Sequence, residues 1–345
     1  MASLAAVWYQ NALGWTLFYL GMSFSPDLTW SSCSNWWNTE DCVDGDYRYS
    51  GETLNTSLPG TENATLRAMD SLSNFSLFNT GAGEFWQYRA LGVSEGVHDT
   101  GTIQWHLAVS LLGSWIVIFL SLVKGIKRIG KVVYVTVLLP YLLLAVLFIR
   151  TILLPGAVDG VVFYLSPDFS KLLEVQVWLE ALLQIFYSIS PGTGVVVNLS
   201  SYNKFNENCL RCCYLTRAST HSTLFSFAGP GLAFVAYTEG IMQLPFPDIW
   251  AVLFFLMLFT AALDSQFAIL QNVLTVVFDQ FPNKLGTHRG PVTAVICAVC
   301  FLFGLLFTTQ AGVYYLQLCD WYLSVFSVLL FAILETIVFT WIYGE

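Results

Sequence analysis

The sequence contains few charged residues. Only 11% of its 345 residues are Asp, Glu, Lys or Arg, against about a quarter in a typical soluble domain. This shortage excludes a disordered chain, a nucleic-acid-binding protein and most soluble globular folds. Common enzyme signatures are also missing, because the chain has no HExxH motif, no phosphate-binding glycine loop and no recognisable nucleophile with its base. The sequence therefore does not predict an enzyme.

Apolar residues dominate what is present. They make up 56% of the chain, and aromatic residues make up 16%. A helix needs about 20 mainly apolar residues to cross a bilayer. Apolar runs close to this length occur at 5–24, 103–123, 132–154, 176–200, 222–244, 248–277, 291–309 and 318–342. The sequence therefore predicts an all-α, polytopic membrane helix bundle.

The net charge of −9 is concentrated in one polar stretch. Residues 25–102 contain eleven acidic and three basic residues and so carry almost all of it. The same stretch contains Cys33 and Cys42 and three Asn-X-Ser/Thr sequons, at Asn55, Asn63 and Asn74. Sequons and spaced cysteines are typical of a lumenal or extracellular loop.

Basic residues form three clusters beside apolar runs, which the positive-inside rule assigns to the cytosol. The clusters are Lys124, Lys127, Arg128 and Lys131; Lys204, Arg211 and Arg217; and Lys284, His288 and Arg289. Two crossings must then separate the second cluster from the third. The run 222–244 is a poor candidate for one of them, because it contains Gly229-Pro230-Gly231 and Glu239. Its orientation stays open.

The run 176–200 is interrupted by Ser188-Ile-Ser-Pro-Gly-Thr-Gly194. Proline removes a backbone donor and glycine lowers helicity, so this run predicts two half-helices. Non-helical backbone at membrane depth is buried in protein or lines a wet cavity, and in transporters it binds ions and substrates. Gln184 and Ser188, one turn apart, supply polar groups just before the break. A purely structural kink is the alternative.

A second polar site lies in the run 248–277. Asp264 and Ser265 interrupt an otherwise apolar stretch, and a carboxylate in mid-membrane usually faces a partner or water. Carboxylate and hydroxyl oxygens suit a hard cation such as sodium. An aspartate that bonds locally is the alternative.

Several motifs in order resemble the sodium- and chloride-dependent neurotransmitter symporters. They are Cys33-Ser-Asn-Trp-Trp-Asn-Thr-Glu-Asp-Cys42, Leu154-Pro-Gly-Ala157, Gln184-Ile-Phe-Tyr-Ser188, Ser201-Tyr-Asn-Lys-Phe205, Leu263-Asp-Ser265 and Asp279-Gln-Phe-Pro282. The resemblance covers nearly the whole chain and is weakest at 206–225. It is closest to the glycine and amino-acid branches.

The resemblance implies part of a twelve-helix bundle built on inverted repeats, with a broken central helix. Counterparts of the family's first two, seventh and last two helices are not recognisable. The resemblance implies five divisions. Residues 1–24 would be the family's third helix, 25–102 an extracellular loop, and 103–205 the fourth to sixth helices. Residues 206–247 would be a cytosolic junction with a displaced external-loop segment, and 248–345 the eighth to tenth helices.

The resemblance also implies roles for individual residues. The sodium ligands would be Ser188, Ala261, Asp264 and Ser265. The chloride ligands would be Gln184 and Ser188. The substrate would be bound by Tyr19, Tyr187, Ser190 and Gly192. The gates would be Tyr187 and Asp320 outside and Tyr202 and Asp279 inside. The loop would carry a Cys33–Cys42 disulfide and glycans on Asn55, Asn63 and Asn74.

The function implied is symport of sodium and chloride with a small amino acid or an amino-acid-derived neurotransmitter across the plasma membrane. Sodium and chloride would be co-transported ligands, and no cofactor is expected. The chain alone is expected to be inactive, because many family ion ligands have no counterpart in it. The alternative is a non-transporting subunit that associates with full-length family members and alters their trafficking. A monoamine substrate also stays open.

Overall fold

Helices account for the regular structure. The structure is a computed structural model that describes residues 2–25, 27–40, 42, 80–94, 96–123, 126–153, 157–166, 169–189, 194–201, 231–285, 288–320, 322 and 326–344. Within these ranges no β-strand forms, and Ile103 and Thr309 make one isolated bridge. The predicted all-α bundle is confirmed.

Thirteen α-helices are described, with shorter 3₁₀ and π-helical segments between them. The α-helices are α1 (Ala2–Met22), α2 (Gly81–Glu84), α3 (Trp105–Leu122), α4 (Ile126–Ile152), α5 (Ala157–Leu165), α6 (Val175–Ile189), α7 (Val195–Ser200), α8 (Tyr237–Met242), α9 (Pro247–Gln280), α10 (Pro282–Leu285), α11 (Arg289–Gly304), α12 (Gly312–Cys319) and α13 (Ser327–Ile337). The shorter segments are Phe85–Leu91, Phe169–Leu173, Leu232–Ala236, Leu305–Thr308 and Val338–Ile342.

Four described helices are long and apolar enough to cross a membrane, judged by length and composition. They are Trp105–Leu122, Tyr134–Ile152, Pro247–Gln280 and Arg289–Thr308. Helix α1, with 21 residues, is also long enough at about 1.5 Å per residue, although it carries Gln10 and Asn11 in its interior. The chain is thus a multi-pass membrane protein.

Helix α1 lies at the centre of the described bundle. It packs against α9, α3 and α11, and its buried residues include Leu13, Trp15 and Tyr19. Buried carboxamides tie it to two of these neighbours. The Gln10 amide donates to the Ser114 hydroxyl of α3 at 2.8 Å, and the Gln266 amide of α9 donates to the Ala6 carbonyl at 2.8 Å. Such bonds help hold helices together in a membrane.

Helix α9 is the longest described, at 34 residues, and its sequence explains where it starts and stops. Phe246 has a φ of 59°, Pro247 opens the helix, and Asp248 lies in the first turn. Proline needs no donor partner at this position, and an acidic residue complements the positive end of the helix dipole. Pro282 stands two positions after the last residue, Gln280. Helix α9 packs on both α1 and α4 and so brings three helices around Asp264.

The central helix is divided in two. Helix α6 ends at Ile189, and α7 begins at Val195 after Gly194, whose φ of 73° suits glycine. Helix α7 packs against α9, whereas α6 packs against α13. The proline- and glycine-rich sequence had predicted this division.

The described part of the run 222–244 is too short to cross a membrane. It consists of a five-residue π-helical segment and the six-residue helix α8, whereas a spanning helix needs about 20 residues. Phe234, Val235 and Ile241 are buried against the bundle. The described residues of this run therefore pack on the other helices.

Candidate functional site

Asp264 lies where α1, α4 and α9 meet. The Thr136 hydroxyl of α4 donates a hydrogen bond to the Asp264 carboxylate. The Tyr9 hydroxyl of α1 interacts with the side chain of Ser265, the residue that follows Asp264 on α9. One carboxylate and three hydroxyls from three helices thus form a single oxygen-rich cluster, the α9 acidic cluster. Oxygen ligands of this kind suit a hard cation.

Sequence reasoning identified Asp264 and Ser265 but missed Thr136 and Tyr9. The only sequence signal for Thr136 is that it is the single threonine in the apolar stretch 132–139. Ala261 lies one turn before Asp264 in the same uninterrupted helix. Its carbonyl therefore lies within the regular backbone hydrogen-bond pattern of α9.

The predicted residues of the broken helix are described only in part. Gln184, Tyr187 and Ser188 lie in the last turns of α6, and their side chains lie outside the described part of the structure. Ser190, Gly192 and Tyr202 are outside the described residues altogether. The roles assigned to these six positions therefore stay predictions.

Tyr19 is fully buried in an aromatic cage. Its ring centroid lies 5.0 Å from those of Phe234 and Phe255, 5.3 Å from that of Phe85 and 5.4 Å from that of Trp30. Its hydroxyl has no hydrogen-bond partner among the described residues. A buried phenol normally bonds to a partner, so this hydroxyl is an unused donor enclosed by rings.

Phe234 closes the cage from the segment 231–242. Its ring stacks on Trp86 with centroids 4.8 Å apart and planes 3° apart. Trp86 belongs to the helical segment Phe85–Leu91, which lies within the polar stretch 25–102. The segment 231–242 thus covers Tyr19 together with residues from that stretch.

The predicted gate acids lie at helix ends. Asp320 caps the end of α12 and is half-buried, while Asp279 is exposed in the last turn of α9. Asp279 stands fifteen positions after Asp264 on the same helix, a rise of about 22 Å. Asp279 therefore lies far along α9 from the acidic cluster.

The cysteine loop is docked on a buried carboxylate. Cys33 and Cys42 form a disulfide. Within the loop, the Asn38 amide and the Thr39 backbone N–H donate to Glu84 at 3.0 and 2.9 Å, and the Thr39 hydroxyl also donates to it. Glu84 is only 3% exposed, and sequence reasoning treated it merely as part of the net charge. The sequons at Asn55, Asn63 and Asn74 lie outside the described residues.

A multi-pass helical bundle with a divided helix and a carboxylate inside a long apolar helix is typical of ion-coupled membrane carriers. The sequence matches the family model described as "Sodium:neurotransmitter symporter family" over residues 1–228 and again over 225–345. The chain belongs to the sodium:neurotransmitter symporter family.

Curated relatives agree with this assignment. The chain is 38% identical to the sodium- and chloride-dependent GABA transporter 2 of Rattus norvegicus over 371 residues, which are 100% of this chain and 58% of the relative. It is 37% identical to the sodium- and chloride-dependent glycine transporter 2 of Xenopus laevis over 377 residues, which are 99% of this chain and 48% of the relative. The chain thus spans about half the length of the curated relatives it matches.

Proposed function

We propose that this bundle serves sodium- and chloride-coupled symport of a small amino acid or amino-acid-derived neurotransmitter at the plasma membrane. The observation that carries the proposal is the α9 acidic cluster. There the Asp264 carboxylate accepts a hydrogen bond from the Thr136 hydroxyl, and Tyr9 interacts with the neighbouring Ser265. The names of the relatives, which are transporters for GABA and glycine, support the substrate class.

In this mechanism a sodium ion neutralises Asp264 between α4 and α9. The ion would also be bound by Ser265 and the carbonyl of Ala261. A second sodium and the chloride would use Ser188 and Gln184 at the end of α6. These bound ions would stabilise the charged end of the substrate. The substrate-bound state would then favour closure of the outer gate.

The substrate would lie between the division of the central helix and Tyr19. The Tyr19 hydroxyl has no hydrogen-bond partner among the described residues and is a donor suited to a carboxylate. Ser190 and Gly192 would line the same pocket. The outer gate would be formed by Tyr187 and Asp320, and the inner gate by Tyr202 and Asp279.

We expect the 345-residue chain by itself not to transport. The reason is the aromatic cage, in which the Tyr19 hydroxyl is covered by Phe234 and Phe255. The test is uptake of radiolabelled glycine and GABA by proteoliposomes containing the purified chain, with sodium or potassium outside. Uptake equal in the two salts is expected, and robust sodium-dependent uptake would contradict this expectation.

A second candidate function is a non-transporting subunit of full-length family members. Helix α4 favours it, because only 11% of Tyr134–Ile152 is buried inside the structure, against 44% for the corresponding stretch of α9. Co-immunoprecipitation with a full-length family member tests the association. We expect Leu138→Glu on the exposed face of α4 to abolish recovery, and recovery unchanged by this substitution would argue against α4 as the contact.

A further inference from the structure

A cavity of about 360 Å³ lies apart from the α9 acidic cluster. It opens between the helical segment Phe85–Leu91 and the start of α12. Three aromatic rings line it, those of Trp86, Tyr88 and Tyr314, together with Val313 and Leu91. Its volume falls in the range of about 300–1,000 Å³ that is typical of small-molecule sites.

Hydrogen bonds hold the two walls of this cavity together. The Tyr314 hydroxyl of α12 donates to the Ser94 carbonyl at 3.1 Å, and the Ser94 N–H donates to the Gln310 carbonyl at 3.3 Å. The Val93 N–H donates to the Gln87 carbonyl at 3.0 Å. Residues 93 and 94 therefore connect the wall formed by Phe85–Leu91 to the wall at the start of α12. The cavity is largely pre-formed, and a ligand needs little rearrangement of the protein to enter it.

The lining chemistry favours an organic cation. Among the described residues that line the cavity none is charged, and aromatic faces attract ammonium groups. One wall belongs to the stretch 25–102, which carries eleven acidic and only three basic residues, so its field attracts cations. The cation in this wall, Arg89, is engaged elsewhere, with its guanidinium 6.0 Å from the Trp37 ring centroid and 3.5 Å from His106.

We propose that this aromatic cavity binds a small organic cation, an ammonium group carrying an aromatic or aliphatic substituent. The site is separate from the proposed sodium and substrate sites and does not depend on transport. Trp86 lies between this cavity and the aromatic cage around Tyr19, because it lines the cavity and also stacks on Phe234 of the cage.

Radiolabelled phenyltrimethylammonium tests the proposal on the purified full chain in lipid nanodiscs. Its uncharged isostere, tert-butylbenzene, serves as a competitor of the same shape. We expect saturable binding that unlabelled phenyltrimethylammonium displaces and that tert-butylbenzene displaces at least about tenfold less well, because only the cation gains the ring electrostatics. Higher ionic strength should weaken binding.

Substitutions then assign the binding to this cavity. Tyr88 is 48% exposed, so Tyr88→Leu removes a ring with little effect on folding, and affinity should fall about tenfold. Tyr88→Phe keeps the ring and should bind as the parent does. Val313→Trp should fill the cavity and abolish binding. Tyr134→Leu, on the exposed face of α4, is the matched control and should change nothing.

Three results would overturn the proposal. They are the absence of saturable binding, equal displacement by tert-butylbenzene, and parental affinity in Tyr88→Leu. If Val313→Trp fails to fold, the comparison of Tyr88→Leu with Tyr88→Phe tests the proposal by itself, because only Tyr88→Phe keeps the aromatic ring.

Discussion

At the scale of single residues, Gln266 joins two helices through one side chain. Its amide donates to the Ala6 carbonyl of α1 inside the bundle. We expect Gln266→Leu to lower the free energy of unfolding by about 0.5–2 kcal/mol, the range measured for interhelical hydrogen bonds in membranes. Unfolding of the chain in mixed micelles, followed by circular dichroism, measures the change.

Gln271 provides a matched control for that substitution. It lies on the same helix, and its amide donates to Thr275 of α9 itself at 3.2 Å. Gln271→Leu therefore removes a hydrogen bond that lies within α9. Equal destabilisation by the two substitutions would show that the hydrogen bond between α1 and α9 contributes no more to the free energy of unfolding than a bond within α9.

Asp264 carries the second prediction at this scale. If sodium binds there, replacing potassium with sodium stabilises the folded chain, by about 1.4 kcal/mol at a concentration tenfold above the dissociation constant. Asp264→Asn removes the charge that attracts the ion and should abolish the sodium-dependent shift in melting temperature. Asp279→Asn, an exposed acid on the same helix, should retain the shift. A shift that persists in Asp264→Asn would refute the proposed ligand.

The α9 acidic cluster also illustrates what a sequence discloses about a site. Asp264 is conspicuous because a charge in an apolar run is costly and so indicates a role. Thr136 is not conspicuous, since a hydroxyl is tolerated in many membrane helices through bonds to its own backbone. Only the packing of α4 on α9, across 128 positions of sequence, gives Thr136 its partner. The role of Glu84 could not be predicted from the sequence for the same reason, because its hydrogen-bond donors lie 45 and 46 positions away.

At the scale of elements, the segment 231–242 covers Tyr19. Phe234 contributes the ring that both contacts Tyr19 and stacks on Trp86. We expect Phe234→Ala to open this cover. A cysteine at position 19, made by Tyr19→Cys, should then react severalfold faster with a charged methanethiosulfonate reagent added outside, and the parent chain supplies the background of native thiols.

Tyr237→Ala is the control for the aromatic cage. Tyr237 belongs to the same segment, is 45% exposed and stacks on Phe254 at 5.5 Å, and Phe254 makes no described ring contact with Tyr19. Labelling of position 19 should stay slow in this variant. Fast labelling in the chain with both Phe234 and Tyr237 intact would contradict the closed cage.

At the scale of the whole molecule, composition and apolar runs were enough for the fold class. The run 248–277 became α9 with only small changes at its ends, because length and hydropathy decide whether a helix crosses a membrane. The run 222–244 could not be resolved in the same way. Its apolar residues pack against rings from distant segments, and hydropathy does not distinguish burial in protein from burial in lipid.

The orientation of the chain follows from that packing and can be tested directly. Phe234 stacks on Trp86, so the segment 231–242 lies on the same side as the end of the stretch 25–102, which we propose is extracellular. Helix α9 then crosses to the cytosol, where the basic residues near Arg289 satisfy the positive-inside rule. In a chain with Asn55, Asn63 and Asn74 changed to Gln, a spaced glycosylation tag after Gln243 should therefore be modified.

The same tag after Asn283, beyond the far end of α9, should remain unmodified, because α9 separates the two insertion points by about 50 Å of helix. Sensitivity to a glycosidase on a gel reads out both insertions. Modification at Asn283 alone would mean that α9 runs in the opposite direction and that the basic cluster near Arg289 lies outside. In that case both the charge rule and the stacking of Phe234 on Trp86 would have misled the assignment, because glycans on the parent loop would still place 25–102 outside.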